Sequence, residues 1–222
     1  MRKIPLRLCV LIAAAVLLAA VAAWQLFWPR GGQAAAREGP AAARIDKHRR
    51  ERNVPALGRE VAHRDVAVAR QAVAALGRIG PESLPEVRRA LRDSRGPVRE
   101  RAATVFARIA PREDATALAQ VAREDASSDV RAAAVSGLNH MCAFEQMEAI
   151  LAAMDDSDEV VRRRAATAAR RFACARVGFK ADDPPQKRKA AIQRMRSVWL
   201  QHEARARRYW EMILKKNRPK PP

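Results

Sequence analysis

VRERAATVFARI, residues 98–109, is the stretch on which the fold of this chain turns. Three companions align with it: VARQAVAALGRI from Val68, VRAAAVSGLNHM from Val130 and VRRRAATAARRF from Val161, with starts 30, 32 and 31 residues apart. In each, an apolar first residue is followed at the fifth position by Ala72, Ala102, Ala134 or Ala165, and the twelfth is Ile79, Ile109, Met141 or Phe172. Those intervals lay one apolar stripe along one helical face.

A partner helix precedes each stripe. Val54, Leu57 and Val61 come 14, 11 and 7 residues before Val68, and Leu84, Val87 and Leu91 keep the same distances before Val98. Met147, Ile150 and Met154 repeat the pattern before Val161, while the third unit slips by one and keeps Leu118 as its clearest anchor. Paired helices recurring at a fixed period predict an all-α solenoid of about four helical hairpins over residues 54–175. The turns fit this plan. Asp65, Asp93, Asp129 and Asp158 stand where a carboxylate accepts backbone N–H groups, Pro81, Pro97 and Pro111 stand at element starts, and Gly80 and Gly96 suit turns.

An Asp-bearing turn followed by VRERAA at 98–103 or VRRRAA at 161–166 resembles the short HEAT repeat of bacterial scaffold proteins and of phycobiliprotein-lyase-type chains. The resemblance implies that Arg99, Arg131 and Arg162 are ladder residues, each supporting the Asp of a neighbouring turn. Ala69 breaks the pattern in the first unit, as a terminal repeat does. Fold alone does not settle function.

Outside the repeats, residues 1–7 are basic and residues 8–28, LCVLIAAAVLLAAVAAWQLFW, carry no charge. At ~1.5 Å per residue such a helix is about 31 Å long, matching a hydrocarbon core of ~30 Å. Arg2, Lys3 and Arg7 precede it, and Trp24, Phe27 and Trp28 suit an aromatic belt. The expectation is a transmembrane signal-anchor and a single-pass protein of a bacterial inner membrane, with the repeats outside the cytoplasm. A cleaved signal peptide, cut near Ala34, Ala35 and Ala36, is the alternative. Residues 29–53 read as a flexible linker, whose Lys47, His48, Arg49, Arg50 and Arg52 face solvent or lipid head groups.

After a turn at 176–183, residues 184–216 read as an amphipathic helix and 217–222 as a disordered tail. Ile192, Met195, Trp199, His202, Ala206, Tyr209 and Ile213 alternate steps of three and four, and Trp199, Tyr209 and Trp210 are the candidate tail contacts or lipid-facing residues. Capping the last repeat is the first reading of this helix. Association with a partner or a second copy, and adsorption to an anionic membrane or nucleic acid, are the others.

The formal charge of +19 invites a nucleic-acid reading, but its distribution weakens it. Residues 65–179 hold 18 basic and 16 acidic side chains, against 13 and 4 in residues 180–222. Three cysteines are too few for a disulfide framework, and Cys142 and Cys174 read as buried structural thiols. No phosphate-cradling Gly-rich loop, Cys-x-x-Cys or His-Glu-x-x-His occurs, and His48, His63, His140 and His202 are scattered.

No catalytic residue, metal or cofactor is therefore expected. The first functional reading is a membrane-tethered protein–protein interaction scaffold, with Arg163, Arg164, Arg170 and Arg171 on the concave surface of the second helices as the partner-binding candidates. The resemblance leaves two alternatives: a nucleic-acid-binding or DNA-glycosylase-like HEAT protein in the cytoplasm, and a lyase-type chaperone-enzyme.

Overall fold

Why the aligned stretches become helices is visible at their starts. Asp65 accepts the N–H of Ala67 at 2.8 Å, and Asp158 accepts those of Val160 and Val161 at 2.8 and 3.2 Å, so orphan donors at two helix N-termini are satisfied. Pro97 sits in the first turn of its helix, where it removes no needed donor. The computed structural model describes residues 39–216. It falls into two units, 1–43, described only from Gly39, and 44–222.

The helices are α1 (Pro40–Arg50), α2 (Val54–Val61), α3 (Val66–Ile79), α4 (Leu84–Ala90), α5 (Gly96–Ile109), α6 (Ala115–Glu124), α7 (Ser128–His140), α8 (Met147–Ala153), α9 (Glu159–Ala173) and α10 (Pro185–Lys216). Single 3-10 turns at Pro81–Ser83, Arg112–Asp114 and Phe144–Gln146 lead into α4, α6 and α8. In the second unit, α2/α3, α4/α5, α6/α7 and α8/α9 are four stacked hairpins. The second helices α3, α5, α7 and α9 pack in succession, and each first helix covers its own partner.

Leu57, Leu76, Phe106, Leu118, Leu138, Ile150 and Phe172 are fully buried between these layers. Alanine at the fifth motif position, buried in all four units, lets the helices approach closely. Two glycines mark the tightest crossings. A Cβ on Gly77 would stand 2.6 Å from Val105 Cγ1, and one on Gly137 would stand 2.7 Å from Leu118 Cδ1 and 3.0 Å from Ala107 Cβ.

Helix α10 lies on the fourth hairpin. Ala191, Ile192, Met195, Trp199, Ala206 and Trp210 are its buried side chains. Arg188 and Arg196 pair with Asp155 and Glu148 at 3.2 and 3.0 Å.

Four expectations change. Over 40–50 the supposed linker is helical, with Ile45 only 5% exposed and Arg44 paired to Glu60 at 3.1 Å. Cys174 is exposed and Cys142 half-buried, because both follow helix ends in a left-handed conformation (φ 51° and 53°) that turns them off the core stripe. In the third unit Asp125, rather than Asp129, occupies the turn position of Asp93, and Asp129 lies exposed in the first turn of α7.

The fourth concerns the membrane. No helix among the described residues is long and apolar enough to cross one. The longest, α10, carries ten Lys or Arg side chains, and the next, α9, has 15 residues where a span needs about 20. The single-pass placement in an inner membrane, with the repeats outside the cytoplasm, is corrected accordingly. Residues 8–28, on which it rested, and 217–222, read as a disordered tail, lie outside the described residues.

Candidate interaction surface

The turns between hairpins build a ladder of guanidinium and carboxylate groups. Arg99 donates through Nε and Nη2 to both carboxylate oxygens of Asp125, at 2.7 and 2.9 Å, and through Nη1 to the carbonyls of Asp93 and Ser94 in its own turn. Arg131 repeats the arrangement one unit on, reaching Asp156 at 2.7 Å twice and the carbonyls of Asp125 and Ala126. At the last rung no further hairpin follows among the described residues, and Arg162 gives its Nε to Ala181 O at 2.7 Å in the turn before α10.

Each aspartate also accepts the N–H two residues on, Asp93 from Arg95, Asp125 from Ser127 and Asp156 from Asp158. In the first turn, His63 Nδ1 takes that part toward the N–H of Asp65 at 3.0 Å. Burial alone would raise Asp125 and Asp156, but the bidentate arginines, the backbone N–H groups and nearby positive charge outweigh it. Both carboxylates lie below the usual range. Arg99 and Arg131, bonded to them, are raised.

This ladder uses one arginine per inner unit and leaves the others to the helix faces, where charge is segregated by layer. The first helices α2, α4, α6 and α8 carry four Arg (Arg59, Arg88, Arg89, Arg123) and four Glu (Glu60, Glu86, Glu124, Glu148). The second helices carry eleven Arg against Glu100, Asp129 and Glu159. Near-neutrality of the whole middle segment is thus an average over a balanced layer and a strongly basic one. On the first-helix side an open groove of ≈ 390 Å³ lies between α4 and α6, beside Leu91 and Val121, and Arg88 at its edge is tied to Asp114 at 2.7 Å.

The four arginines singled out from sequence all lie on α9, but in different circumstances. Arg164 donates to Ala132 O and Ser136 Oγ of α7 at 3.2 and 3.1 Å. Arg171 donates to Asn139 O, Asn139 Oδ1 and Cys142 Sγ, and its guanidinium lies 5.0 Å from the Trp210 ring. Both therefore join neighbouring helices. Arg163 pairs with Glu159 at 2.9 Å, and Arg170 reaches Thr167 Oγ1 at 3.4 Å and no carboxylate among the described residues.

Of the aromatic candidates, Trp199 and Trp210 are 4% and 7% exposed, and Trp210 Nε1 donates to Phe172 O at 3.1 Å. Tyr209 is 45% exposed, edge-on to Trp210. The two tryptophans are packing contacts of α10, so a lipid-facing part for them is corrected.

Sequence reading missed Arg70, Arg78, Arg101 and Arg108 on α3 and α5. The signal lay in the repeat alignment, whose eleventh motif position reads Arg78, Arg108, His140 and Arg171. Among the described residues no group of three or more His, Cys, Asp or Glu is placed to hold a metal ion.

Residues 54–139 match the family model for HEAT repeats, so the resemblance carried by VRERAA at 98–103 is borne out, while VRRRAA at 161–166 lies beyond the matched range. No curated protein matches the chain. Similar solved structures include the complex of CpcE and CpcF of phycocyanin lyase from Nostoc sp. PCC7120, at 18% identity and a TM-score of 0.48, covering 66% of this chain and 99% of that one. A designed armadillo repeat protein in complex with peptide (KR)4 gives 17% and 0.42, covering 72% and 87%. An engineered protein gives 20% and 0.45, covering 76% and 81%.

Proposed function

We propose that this chain is a non-enzymatic interaction scaffold that holds a protein partner on the face built by α3, α5, α7 and α9. The observation that carries this reading is the segregation of charge: apart from the three ladder residues, eight arginines and three acids on the second helices, against four and four on the first. A one-signed surface on a stacked array steers a complementary partner and fixes its orientation. Between the arginines runs a row of small side chains, Ala74, Thr104, Ser136 and Thr167, one per unit, that leaves the face open to an incoming chain. Fold class agrees with this use, since stacked repeats offer extended surfaces rather than deep pockets.

The test places a photo-reactive residue singly at Thr104, Ser136 or Thr167, and at Gln120 or Ala152 on the first helices, in cells expressing the full chain. One partner captured from the second-helix positions and absent from the first-helix positions is the expected result. Equal capture from both layers overturns the reading.

A further inference from the structure

Resting on that reading, the geometry points to a narrower site: we infer that Arg70, Arg78, Arg101 and Arg108, on α3 and α5, receive an extended acidic segment of a partner protein. The two helices pack directly, Gly77 against Val105, and Arg108 Nη2 reaches across to Gly77 O at 3.4 Å. Arg78 and Arg108 are equivalent residues of successive units, and Arg101 occupies the position equivalent to Gln71, one residue beyond Arg70.

No carboxylate among the described residues lies within the 4.0 Å ion-pair distance of any of the four. Glu100 is the one acidic side chain on these two helices. Elsewhere the same fold pairs its arginines, as Arg88 with Asp114, Arg99 with Asp125 and Arg131 with Asp156. Partial burial, and then repulsion from Arg70, Arg108 and Arg78, hold the Arg101 pKa below that of a free arginine, with Glu100 opposing. Like charges kept together without counter-charges destabilise the folded chain, and an incoming anion removes that penalty on binding.

Planar guanidinium forks match carboxylates two oxygens at a time, which favours Asp and Glu side chains as the ligand groups. Single-stranded nucleic acid is disfavoured because its binding uses exposed aromatic platforms, and the aromatic side chains of α5 and α9, Phe106 and Phe172, are fully buried. Thr104 gives its hydroxyl to Glu100 O at 3.1 Å, and Thr104 and the half-buried Ala74 place small side chains between the arginines, where an extended backbone meets less bulk.

The experiment measures fluorescence anisotropy of the full chain with a labelled oligoglutamate of about ten residues, at about 0.05 and 0.15 M salt, beside a single-stranded oligodeoxynucleotide of equal charge. R70Q/R78Q/R101Q/R108Q is expected to weaken peptide binding by about tenfold or more, and R163Q/R170Q on α9 by less than about threefold. The smaller variant R70Q/R78Q, altering only exposed side chains of α3, carries the same test should the fourfold variant fold poorly. Equal losses in the α3/α5 and α9 variants overturn this site but leave the second-helix scaffold standing. Binding unchanged in every variant overturns both. Tighter binding of the oligonucleotide than of the peptide, lost in the fourfold variant, overturns a protein as the occupant.

Discussion

Arg95 grips both carboxylate oxygens of Asp93, two residues before it, at 2.8 and 2.9 Å. The same guanidinium reaches back to His63 O at 2.5 Å and Val61 O at 2.7 Å. In the inner units the aspartate of a turn is held by an arginine of the preceding unit, and that arginine also bonds its own turn's carbonyls. Ala69 supplies no such group, and Arg95 performs both tasks from the far side. Arg95→Ser is expected to lower stability by about 1–3 kcal/mol by leaving Asp93 without its partner. Ala69→Arg is expected to recover part of that loss in the Arg95→Ser background and to recover nothing alone. Urea titrations of the three variants check this.

Acid should act on the same rungs. Asp125 and Asp156 sit below the ordinary Asp value of about 3.9, so each contributes stability that is present above that pH and is lost as pH falls toward the lower folded value. Thermal midpoints should therefore drop steeply below about pH 4. In Asp125→Asn/Asp156→Asn the midpoint should start lower and fall less across that window, which melting by circular dichroism from about pH 6 to pH 3 measures.

Gly77→Ala and Gly137→Ala replace a hydrogen by a methyl at the two tightest crossings. Helix propensity alone would favour both by about 1 kcal/mol. Overpacking against Val105, Leu118 and Ala107 outweighs it, and a net loss of about 1–3 kcal/mol is expected in denaturant midpoints. Gly58→Ala meets only the flexible Glu86 side chain and is expected to cost less.

Trp210→Ala removes a buried ring that meets Phe172 edge-on at 5.8 Å and a hydrogen bond to its carbonyl. A loss of about 3–5 kcal/mol is expected, with faster hydrogen exchange confined to α9 and α10. Tyr209→Ala, at the neighbouring exposed position, should change stability by less than about 1 kcal/mol.

The helical pairs and the ladder were legible because a repeat averages four noisy segments into one pattern. Arg99 and Arg131 therefore read correctly, Arg162 keeps the rung's place but bonds the Ala181 carbonyl where an aspartate was expected, and Ala69 announced an exception without showing that Arg95 resolves it. In α10 the strict alternation of three and four averages 3.5 residues, whereas a helix turns every ~3.6. The buried stripe drifts accordingly from Ala206 to Trp210 rather than Tyr209. Helix α1 was invisible because Ile45 is its single buried side chain, too little to form a periodicity. The basic face escaped because charge was summed along the chain, while the fold sorts it by layer.

The ladder has a direction: every inner rung points from an arginine to the aspartate of the next unit. Such a joint is a matched plug and socket, and a copied unit presents both. Duplicating the unit bounded by Arg99 and Asp125 should lengthen the array without leaving an unmatched end. The first boundary does not offer this. There Arg95 faces backward and serves as plug and latch together, so a unit inserted before it would meet Ala69 and find nothing to grip. The array is thus extensible from within and closed at its amino-terminal end.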